Sequence, residues 1–303
     1  MQSTNTDASA AVNPTDEASP PPPVGADGVK PTCCRRRAIF ILIPFLLLIA
    51  LVAVQGSTRS AASAASMFSA SPVPSLVAGE QATFRVVSMN IRSGVGTDNK
   101  LNLDRVGQNF DGANIVGLNE VRAYRFGKLH DQAQDLGERL KMSFLFAPAE
   151  RRWWADDFGN AVLSSGPLQS WQRIPLPCTQ TRGFRNVTML TAKIGDRPVK
   201  VLVTHLDHVV DRKQQLAAVS DLFCSLQPPV ILMGDLNTDY DDPVIQPLLN
   251  RPDVINTMSP GVCKNLPKDV EYILVRGLKV KEAGWQDNGA SDHCSIWADL
   301  QLP

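Results

Sequence analysis

The stretch PVILMGDLNT, residues 229–238, decides how the rest of this sequence is interpreted. Residues 230–233 are apolar and predict a buried strand, which we expect to break at Gly234. Because side chains two positions apart on a strand point to the same face, Asp235 and Asn237 would lie side by side at its carboxyl end. There they could both face one ligand, such as a water or a phosphate oxygen. The alternative is a simple turn, since Asp and Asn both favour turns.

The composition changes sharply along the chain of 303 residues, although its 30 basic and 30 acidic side chains cancel in the total. Residues 1–37 are rich in Pro, Ser, Ala and Thr, which predicts a disordered tail on the cytoplasmic side of a membrane. Residues 38–54 carry no charge, and the Ser- and Ala-rich residues 55–79 predict a flexible linker. Residues 80–303 have the length and composition of one compact α/β domain, which we expect to be catalytic.

The uncharged segment 38–54 predicts a membrane anchor. A helix over this segment would be about 26 Å long, which is at the short end of the range for a bilayer. The arginines at positions 35–37 directly precede the segment. The positive-inside rule therefore predicts a single-pass membrane protein with its domain outside the cytoplasm. The alternative is a cleaved signal peptide, cut near the small residues 61–65, which would release a secreted domain.

The six cysteines fall into two groups. Cys33 and Cys34 lie beside the apolar segment, where they are either acylated or free thiols. The other four lie in the domain, at a spacing that matches no zinc-binding pattern: Cys178, Cys224, Cys263 and Cys294. Outside the cytoplasm these four could form disulfides, whose pairing stays open. For Cys294 we expect a buried position in the middle of a strand.

Polar side chains recur at the boundaries of the predicted strands. We predict strands at residues 82–91, 115–118, 144–146, 159–164, 168–174, 187–194, 199–204, 230–233, 270–275 and 295–300. We predict helices at residues 103–110 (capped by Asn102), 128–141, 210–226 and 243–249. The polar residues at the strand boundaries are Asn90, Glu120, Asn160, His205, Asp235, Asn237, Asp292 and His293. Each alone has a simple structural explanation, but in layered α/β folds ligands bind where strand ends converge.

These boundary residues suit hydrolysis of a phosphoester with the help of a hard metal cation. Oxygen ligands such as Glu120 and Asn90 suit Mg²⁺, with Mn²⁺ as the alternative. His205 and His293 can hold phosphoryl oxygens or move protons near neutral pH. Asp235 can orient or deprotonate an attacking water. The sequence has no Walker-type glycine-rich loop and no serine in a G-x-S-x-G setting, so it lacks the marks of those nucleotide-binding and serine-hydrolase classes.

Six short motifs, in this order, resemble those of the endonuclease/exonuclease/phosphatase superfamily. They are VVSMNIR around Asn90, IVGLNEV around Glu120, GNAVLS around Asn160, VTHLD around His205, GDLNTD around Asp235 and SDHCSI around His293. The resemblance extends over about residues 82–302, and the last three motifs carry most of it. It implies an α/β fold, a four-layer sandwich in which two mixed β-sheets pack face to face with the helices outside.

The resemblance also implies a metal-dependent phosphoesterase and a role for each matching residue. Glu120 would be the principal metal ligand, and Asn90 and Asp292 would be further ligands. Asp235 would position the attacking water. Asn237 would hold that water or a phosphate oxygen.

The same resemblance implies which residues contact the phosphate. His205 and His293 would touch the scissile phosphate and stabilise its developing charge, and Asn160 would support it. Arg182, in the sequence TRG, matches an element of the bacterial metal-dependent hydrolase branch of the family. Its guanidinium would bind an anion.

The sequence departs from the family pattern at two positions. The family usually places an aspartate before the tyrosine of the strand that precedes the final motif, where it pairs with the catalytic histidine. Here Glu271 stands in that position, one methylene longer, so we expect its carboxylate to hold one ring nitrogen of His293. Asn119 stands where glutamine is more common before the metal-binding glutamate, and it keeps the ability to form hydrogen bonds.

The substrate is less well defined by the sequence, since one fold serves many substrates. Residues 80–303 carry a net charge of −1, which does not favour a nonspecific nuclease with its usual basic groove. The predicted loop at residues 148–158 contains Arg151, Arg152, Trp153 and Trp154. It is either solvated or a surface for a headgroup, a base or a membrane. Asn186 begins a glycosylation sequon, which would matter only in a eukaryotic secretory pathway.

The sequence therefore predicts a monomeric phosphoesterase anchored in a membrane through residues 38–54, with its domain outside the cytoplasm. The substrate would be a phosphodiester or a phosphomonoester, such as a lipid headgroup, an inositol phosphate or a nucleic acid. One alternative is a catalytically impaired member of the family that acts as a membrane-anchored binding module. The other is an extracellular nuclease.

Overall fold

The computed structural model describes residues 42–52, 59–61, 66–68, 83–124, 131–152, 156–168, 170–258 and 270–303. The predicted tail at residues 1–37 lies outside these ranges, as do both ends of the predicted anchor at residues 38–54. Residues 42–52 form a helix, α1. Among the residues that the structure describes, no helix is both long enough and apolar enough to cross a bilayer.

The first sheet contains eight strands in the order β1-β5-β6-β4-β3-β14-β13, and β2 also pairs with β5. Its strands are β1 (Arg59–Ala61), β2 (Ser66–Phe68), β3 (Thr83–Asn90), β4 (Ile115–Tyr124), β5 (Ser143–Arg152), β6 (Asp156–Ser164), β13 (Lys279–Gln286) and β14 (Ser295–Gln301). Only β3 and β4 run parallel to each other among these pairs. The sheet is therefore mixed, as the resemblance implies.

The second sheet contains six strands in the order β11-β12-β10-β9-β8-β7. Its strands are β7 (Trp171–Pro175), β8 (Asn186–Ile194), β9 (Arg197–His205), β10 (Val230–Asp235), β11 (Ile255–Asn256) and β12 (Glu271–Arg276). β9 and β10 are parallel, and the other pairs are antiparallel. β10 is fully buried at the middle of this sheet, as its apolar sequence predicts.

The two sheets pack face to face around one apolar core. Val86 and Ile115 of the first sheet belong to the same buried cluster as Val203, Ile231 and Ile273 of the second. A second cluster joins the outer face of the first sheet to α2 (Leu103–Gly107) and α3 (Gln132–Leu140). A third joins the outer face of the second sheet to α4 (Arg212–Ser225) and α5 (Gln246–Leu249). This arrangement is the predicted four-layer α/β sandwich.

Side-chain caps explain where two of the helices begin. The side chain of Asn102 accepts a hydrogen bond from the backbone N–H of Arg105, so it caps α2 as predicted. Asp131 accepts hydrogen bonds from the backbone N–H groups of Ala133 and Gln134, which starts α3 at residue 132 rather than at 128. Short polar side chains at these positions satisfy N–H groups that the helix itself leaves unpaired.

Several strands differ from the sequence-based expectation. The predicted loop at residues 148–158 is mostly the paired ends of β5 and β6, with Trp153 and Trp154 outside the described residues. Arg151 pairs with Asp157 across these strands, with its Nε 3.6 Å from a carboxylate oxygen. Two stretches of the predicted linker are strands β1 and β2, which satisfy backbone groups along β5. β13 is a further strand that its charged sequence did not reveal.

The cysteine predictions are resolved in part. Cys178 and Cys224 are free thiols. Cys294 is buried as expected, but it lies just before β14 rather than in the middle of a strand. Cys263 lies outside the described residues, as do Cys33 and Cys34. Asn186, the first residue of the sequon, is 2% exposed within β8, so the folded domain does not offer it for glycosylation.

Candidate active site

The strand register brings the predicted site residues to one edge of the sandwich. In the second sheet, Asp235 lies opposite His205 of β9 on one side and opposite Glu271 of β12 on the other. In the first sheet, Asn90 of β3 lies opposite Asn119 of β4. The sequence identifies these residues but does not reveal which strands pair. The pairing places the ionisable side chains of His205, Asp235 and Glu271 side by side.

β10 does not break at Gly234, contrary to the prediction, but continues to Asp235. Gly234 has a φ of +136°, and a Cβ at this position would lie only 1.9 Å from the backbone oxygen of Thr204. Glycine is therefore required by both the backbone conformation and the close approach of β9. The strand does end before Asn237, whose φ is +47°. Strand alternation does not apply to Asn237, and its Nδ2 donates a hydrogen bond of 2.8 Å to the carbonyl of Leu206.

Glu120 lies inside β4 and not at its end, which corrects the prediction. The pairing of β4 with β6 is interrupted between Leu118 and Val121 by a β-bulge. Glu120 adopts a φ of +57° within this bulge, a left-handed conformation that is unfavourable for a glutamate in a strand. Bulges and strained backbone of this kind redirect side chains next to functional sites.

Asn90 connects Glu120 to Asp235. Its Nδ2 donates hydrogen bonds to Oε1 of Glu120 at 3.2 Å and to Oδ2 of Asp235 at 3.0 Å. Its Oδ1 accepts a hydrogen bond of 3.0 Å from the backbone N–H of Arg92, which fixes the orientation of the amide. Because one amide group spans both carboxylates, the first sheet and the second sheet are joined at the site.

Asp235 is 1% exposed and is surrounded by polar groups. Its Oδ2 lies 3.5 Å from Nε2 of His205 and 4.0 Å from Nε2 of His293. Burial, and after it the negative charge of Glu271, raise the pKa of Asp235 to about 7. The positive charge that His293 can carry, and hydrogen bonds from Asn90 and from the backbone of Asn237, act in the opposite direction. The carboxylate is therefore poised to exchange a proton near neutral pH.

The expected pair of Glu271 and His293 is present in the structure. Oε1 of Glu271 lies 3.0 Å from Nδ1 of His293, and both side chains are buried. The backbone N–H of His293 donates to Oγ of Ser291, and that hydroxyl donates a bond of 2.7 Å to the carbonyl of Asn90. The longer glutamate thus reaches the ring nitrogen, and Nε2 of His293 is left on the side of Asp235.

Asn119 and Asn160 form a buried amide chain behind Asp235. Oδ1 of Asn119 accepts the backbone N–H of Asp235 at 2.9 Å, and its Nδ2 donates to Oδ1 of Asn160 at 2.9 Å and to the carbonyl of Thr204 at 3.0 Å. The Nδ2 of Asn160 donates in turn to Asn186. Asn160 is in the interior of β6 and not at its start, so the structure places it two hydrogen bonds behind Asp235.

Replacing Asn119 by alanine is expected to lower the free energy of unfolding by about 2 kcal/mol, because three buried hydrogen bonds are lost, two of which join the sheets. Chemical denaturation measures this change. Asn114→Ala is a control outside the site, because that side chain joins the backbone of Arg85 at the other end of β3. Equal stability of the Asn119→Ala variant and the unmodified chain would contradict the bridging role.

The structure places Asp292 and Arg182 at the margins of this site. An oxygen of Asp292 lies 4.0 Å from Nε2 of His293 and 4.0 Å from Nε of Arg92. Arg182 is exposed and lines a cavity of about 640 Å³ whose wall also contains Glu120. Residues that the sequence did not indicate line the same cavity: Arg122, Glu150, Phe158, Arg185 and Asp207. Arg185 follows Arg182 by three positions, and this proximity was the only sequence signal for it.

The donor set at this edge fits a divalent cation. Glu120 and Asn90 offer hard oxygen donors, and the strained backbone at Glu120 directs its carboxylate to the cavity. Among the described residues, a second group of donor atoms comes from Asp235, Glu271 and His293, which lie within 4.8 Å of one another. In that group Nδ1 of His293 already faces Glu271 at 3.0 Å, so Glu120 is the better anchor for a cation.

Comparisons with other proteins agree with this architecture. The family model described as "Endonuclease/Exonuclease/phosphatase family" matches residues 87–293. No curated protein sequence matches the chain. An endonuclease/exonuclease/phosphatase from Beutenbergia cavernae is 22% identical, with a TM-score of 0.61 over 73% of this chain and 72% of that one.

Two animal proteins are similar in fold over most of their length. The human Nocturnin catalytic domain, solved with a bound sulfate anion, is 19% identical, with a TM-score of 0.56 over 73% of this chain and 94% of that one. TDP2 from D. rerio, solved with a single-strand DNA product, is 16% identical, with a TM-score of 0.51 over 72% of this chain and 98% of that one. At these identities the similarity shows the shared fold alone.

Proposed function

The chain belongs to the endonuclease/exonuclease/phosphatase family, and from that premise we propose that it is a metal-dependent phosphoester hydrolase. The observation that supports this most strongly is the alignment of His205, Asp235 and Glu271 across three neighbouring strands, with His293 held by Glu271. Two histidines and a carboxylate with a raised pKa at one sheet edge are suited to moving protons around a phosphate.

In the proposed reaction, Asp235 orients a water and accepts its proton. Its carboxylate is held by Asn90 and by the backbone N–H of Asn237, so it is fixed in position before substrate binds. His205 and His293 direct their Nε2 atoms to the same place, where they donate to phosphate oxygens. Glu271 keeps the proton on Nδ1 of His293 and favours the charged ring, which carries a second N–H toward the phosphate.

Glu120, with Asn90 hydrogen-bonded to it, would hold Mg²⁺ or Mn²⁺, and Asp292 would be a further ligand. A bound divalent cation would neutralise charge on the phosphoryl oxygens. Asn90 holds the carboxylate of Glu120 by a hydrogen bond, and the paired residues on both sides of the bulge, Asn119 and Val121, hold its backbone.

A panel of phosphoesters tests the proposed function. Phosphodiesters and phosphomonoesters of lipid headgroups, inositol and nucleotides are incubated with Mg²⁺, Mn²⁺ or EDTA, and release of product is measured. We expect hydrolysis of at least one class with a divalent cation and none in EDTA. Human Nocturnin was solved with sulfate and D. rerio TDP2 with a DNA product, so both neighbours accommodate oxyanions.

The same panel separates an enzyme from a catalytically impaired binding module. The replacement of the usual aspartate by Glu271 was the one sequence feature that favoured the binding module. Its contact with His293 at 3.0 Å supports the enzyme instead. Binding of a phosphoester without turnover, under every metal condition, would favour the module. Preferred hydrolysis of DNA or RNA would favour the extracellular nuclease.

We also propose that the enzyme is monomeric and that residues 38–54 anchor it with residues 80–303 outside the cytoplasm. The charged cluster at residues 35–37 supports this orientation. Protease added to intact cells is expected to digest the domain and to spare a tag placed before Lys30. Protection of the domain and digestion of the tag would reverse the orientation. Release of a soluble domain without residues 38–54 would favour a cleaved signal.

A further inference from the structure

The cavity beside Glu120 is largely separate from the group of residues proposed to hold the scissile phosphate. Its volume of about 640 Å³ is within the usual range for small-molecule sites and larger than one phosphate requires. Of the residues assigned to the site from the sequence, only Glu120 and Arg182 line it. His205, Asp235 and His293 are not part of its wall. A substrate that occupies this cavity therefore extends beyond the group that is cleaved.

Arg185 is a largely buried cation in the wall of this cavity. Its Nε atom is buried, and within the described part of the chain it has no hydrogen-bond partner. Burial lowers the pKa of Arg185, and the negative charges of Glu120 and Asp207 act in the opposite direction. A buried guanidinium N–H without a partner costs free energy, which a hydrogen bond to a ligand, an ion or an ordered water recovers.

The nearby carboxylates are engaged elsewhere. Asp207 accepts hydrogen bonds from the backbone N–H groups of Val209, Val210 and Asp211, which organise the turn before α4. Glu150 accepts the backbone N–H of Gly183 at 2.9 Å. Glu120 is the residue best placed to hold a cation. The Nε–H of Arg185 therefore has no acceptor among the described residues and is left to donate to an anion of a bound ligand.

Phe158 orients two arginines beside the cavity. The guanidinium carbon of Arg185 is 5.9 Å from the centre of the Phe158 ring, and that of Arg122 is 5.8 Å from it. Such cation–π contacts hold a guanidinium plane in place while its N–H groups stay able to donate. The ring centre of Phe158 also lies 6.4 Å from that of His205, so this group adjoins the proposed reaction centre.

We propose that Arg185, with Arg122 and Arg182 beside it, binds a second phosphate group of the substrate, apart from the phosphate that is hydrolysed. This inference rests on the proposed function, and it narrows the substrate class to esters that carry two phosphates. A planar guanidinium binds a phosphate through two parallel hydrogen bonds, a geometry that the point charge of a lysine does not offer. Arg185 is thus a specificity-determining residue.

Titration with inorganic phosphate tests the subsite without turnover. The His293→Ala chain, which lacks one contact to the scissile phosphate, is titrated in a calorimeter in the presence of Mg²⁺. We expect phosphate still to bind and the added Arg185→Gln change to weaken its affinity at least about tenfold. Arg197→Gln removes the same charge from an exposed position at the opposite end of β9 from His205 and is the matched control. Equal affinities in the two double variants, or no binding at all, would overturn the subsite.

Two further variants separate binding from structural support. Arg185→Lys keeps the charge, so it should recover part of the phosphate affinity that Arg185→Gln loses. Arg185→Gln should melt at or above the temperature of the unmodified chain, because it removes a buried Nε–H that lacks a hydrogen-bond partner. A clearly lower melting temperature, not restored by lysine, would show that the guanidinium is structural and would overturn the proposal.

Kinetics with matched esters identify the second phosphate on the substrate itself. The pairs are TpT with pTpT for a diesterase, and inositol 1-phosphate with inositol 1,4-bisphosphate for a monoesterase. We expect kcat/KM to be at least about tenfold higher for the member with the additional phosphate, and Arg185→Gln to remove most of this preference. An equal kcat/KM for both members of a pair would overturn the proposed second phosphate site. If no ester is hydrolysed, the proposed function fails, while the phosphate titration still decides on the subsite.

Discussion

Replacing Glu120 by glutamine should lower kcat for phosphoester hydrolysis at least about a hundredfold in Mg²⁺. The substitution keeps the size of the side chain and its bond with Asn90, but it removes the negative charge that the bulge in β4 directs to the cavity. A cation held chiefly by this carboxylate should therefore bind weakly or not at all. Steady-state kinetics over a range of Mg²⁺ concentrations measure the effect.

Thermal unfolding provides a test that does not depend on catalysis. Mg²⁺ should raise the melting temperature of the unmodified chain, because a ligand that binds only the folded state stabilises it. The increase should be absent in Glu120→Gln. Glu138→Gln, on the exposed face of α3, is the matched control and should behave like the unmodified chain. Undiminished turnover in EDTA would refute the metal assignment.

Replacing Glu271 by alanine should lower kcat about a hundredfold while KM changes by less than about threefold. The carboxylate contacts Nδ1 of His293 at 3.0 Å, and without it the ring is free to turn and to take the other tautomer. Glu271→Asp should keep activity within about tenfold of the unmodified enzyme, because the family usually has an aspartate there. Glu282→Ala, at an exposed position on β13, is the control.

The pH profile gives a second measurement on the same variants. Asp235 accepts a proton in the proposed reaction, so activity should rise as the pH increases through its pKa of about 7. Burial is the main cause of the raised pKa, and the charge of Glu271 is the next. Glu271→Ala removes that charge, lowers the pKa of Asp235 and should shift the acidic limb of the profile to lower pH. Glu271→Asp keeps the charge and should leave the limb in place. Identical profiles for the alanine variant and the unmodified enzyme would show that Glu271 does not act on this centre.

The sequence predicts the individual helices and strands of this fold better than it predicts which strands pair with each other. The buried strand at residues 230–233 and the helix capped by Asn102 follow from local patterns of apolar and polar residues. The alignment of Asp235 with His205 and Glu271 depends on which strands pair, and those partners are distant in the chain. The contact of Glu271 with His293 came from the family pattern and not from the periodicity of the chain.

The errors in the prediction have a common physical origin. Glu120 was expected at a strand end because IVGLNEV turns polar there, whereas pairing with β6 carries β4 through the bulge to residue 124. The same pairing turns most of the Arg- and Trp-rich segment at residues 148–158 into strand, although its side chains resemble those of a loop. Arg185 went unnoticed because a missing hydrogen-bond partner is a property of the folded surroundings.

The position of β14 has a consequence for how this protein is made. β14 lies inside the first sheet, between β3 and β13, and Arg85 of β3 bonds to Asp299 of β14 across 214 positions of sequence. During synthesis, β3 therefore lacks one of its two neighbouring strands, β14, until residues 295–301 have left the ribosome. His293 emerges at nearly the same time. A nascent chain thus lacks both this strand and His293, so the proposed activity is expected only after the whole sheet has been translated. Folding through so distant a contact is expected to be slow.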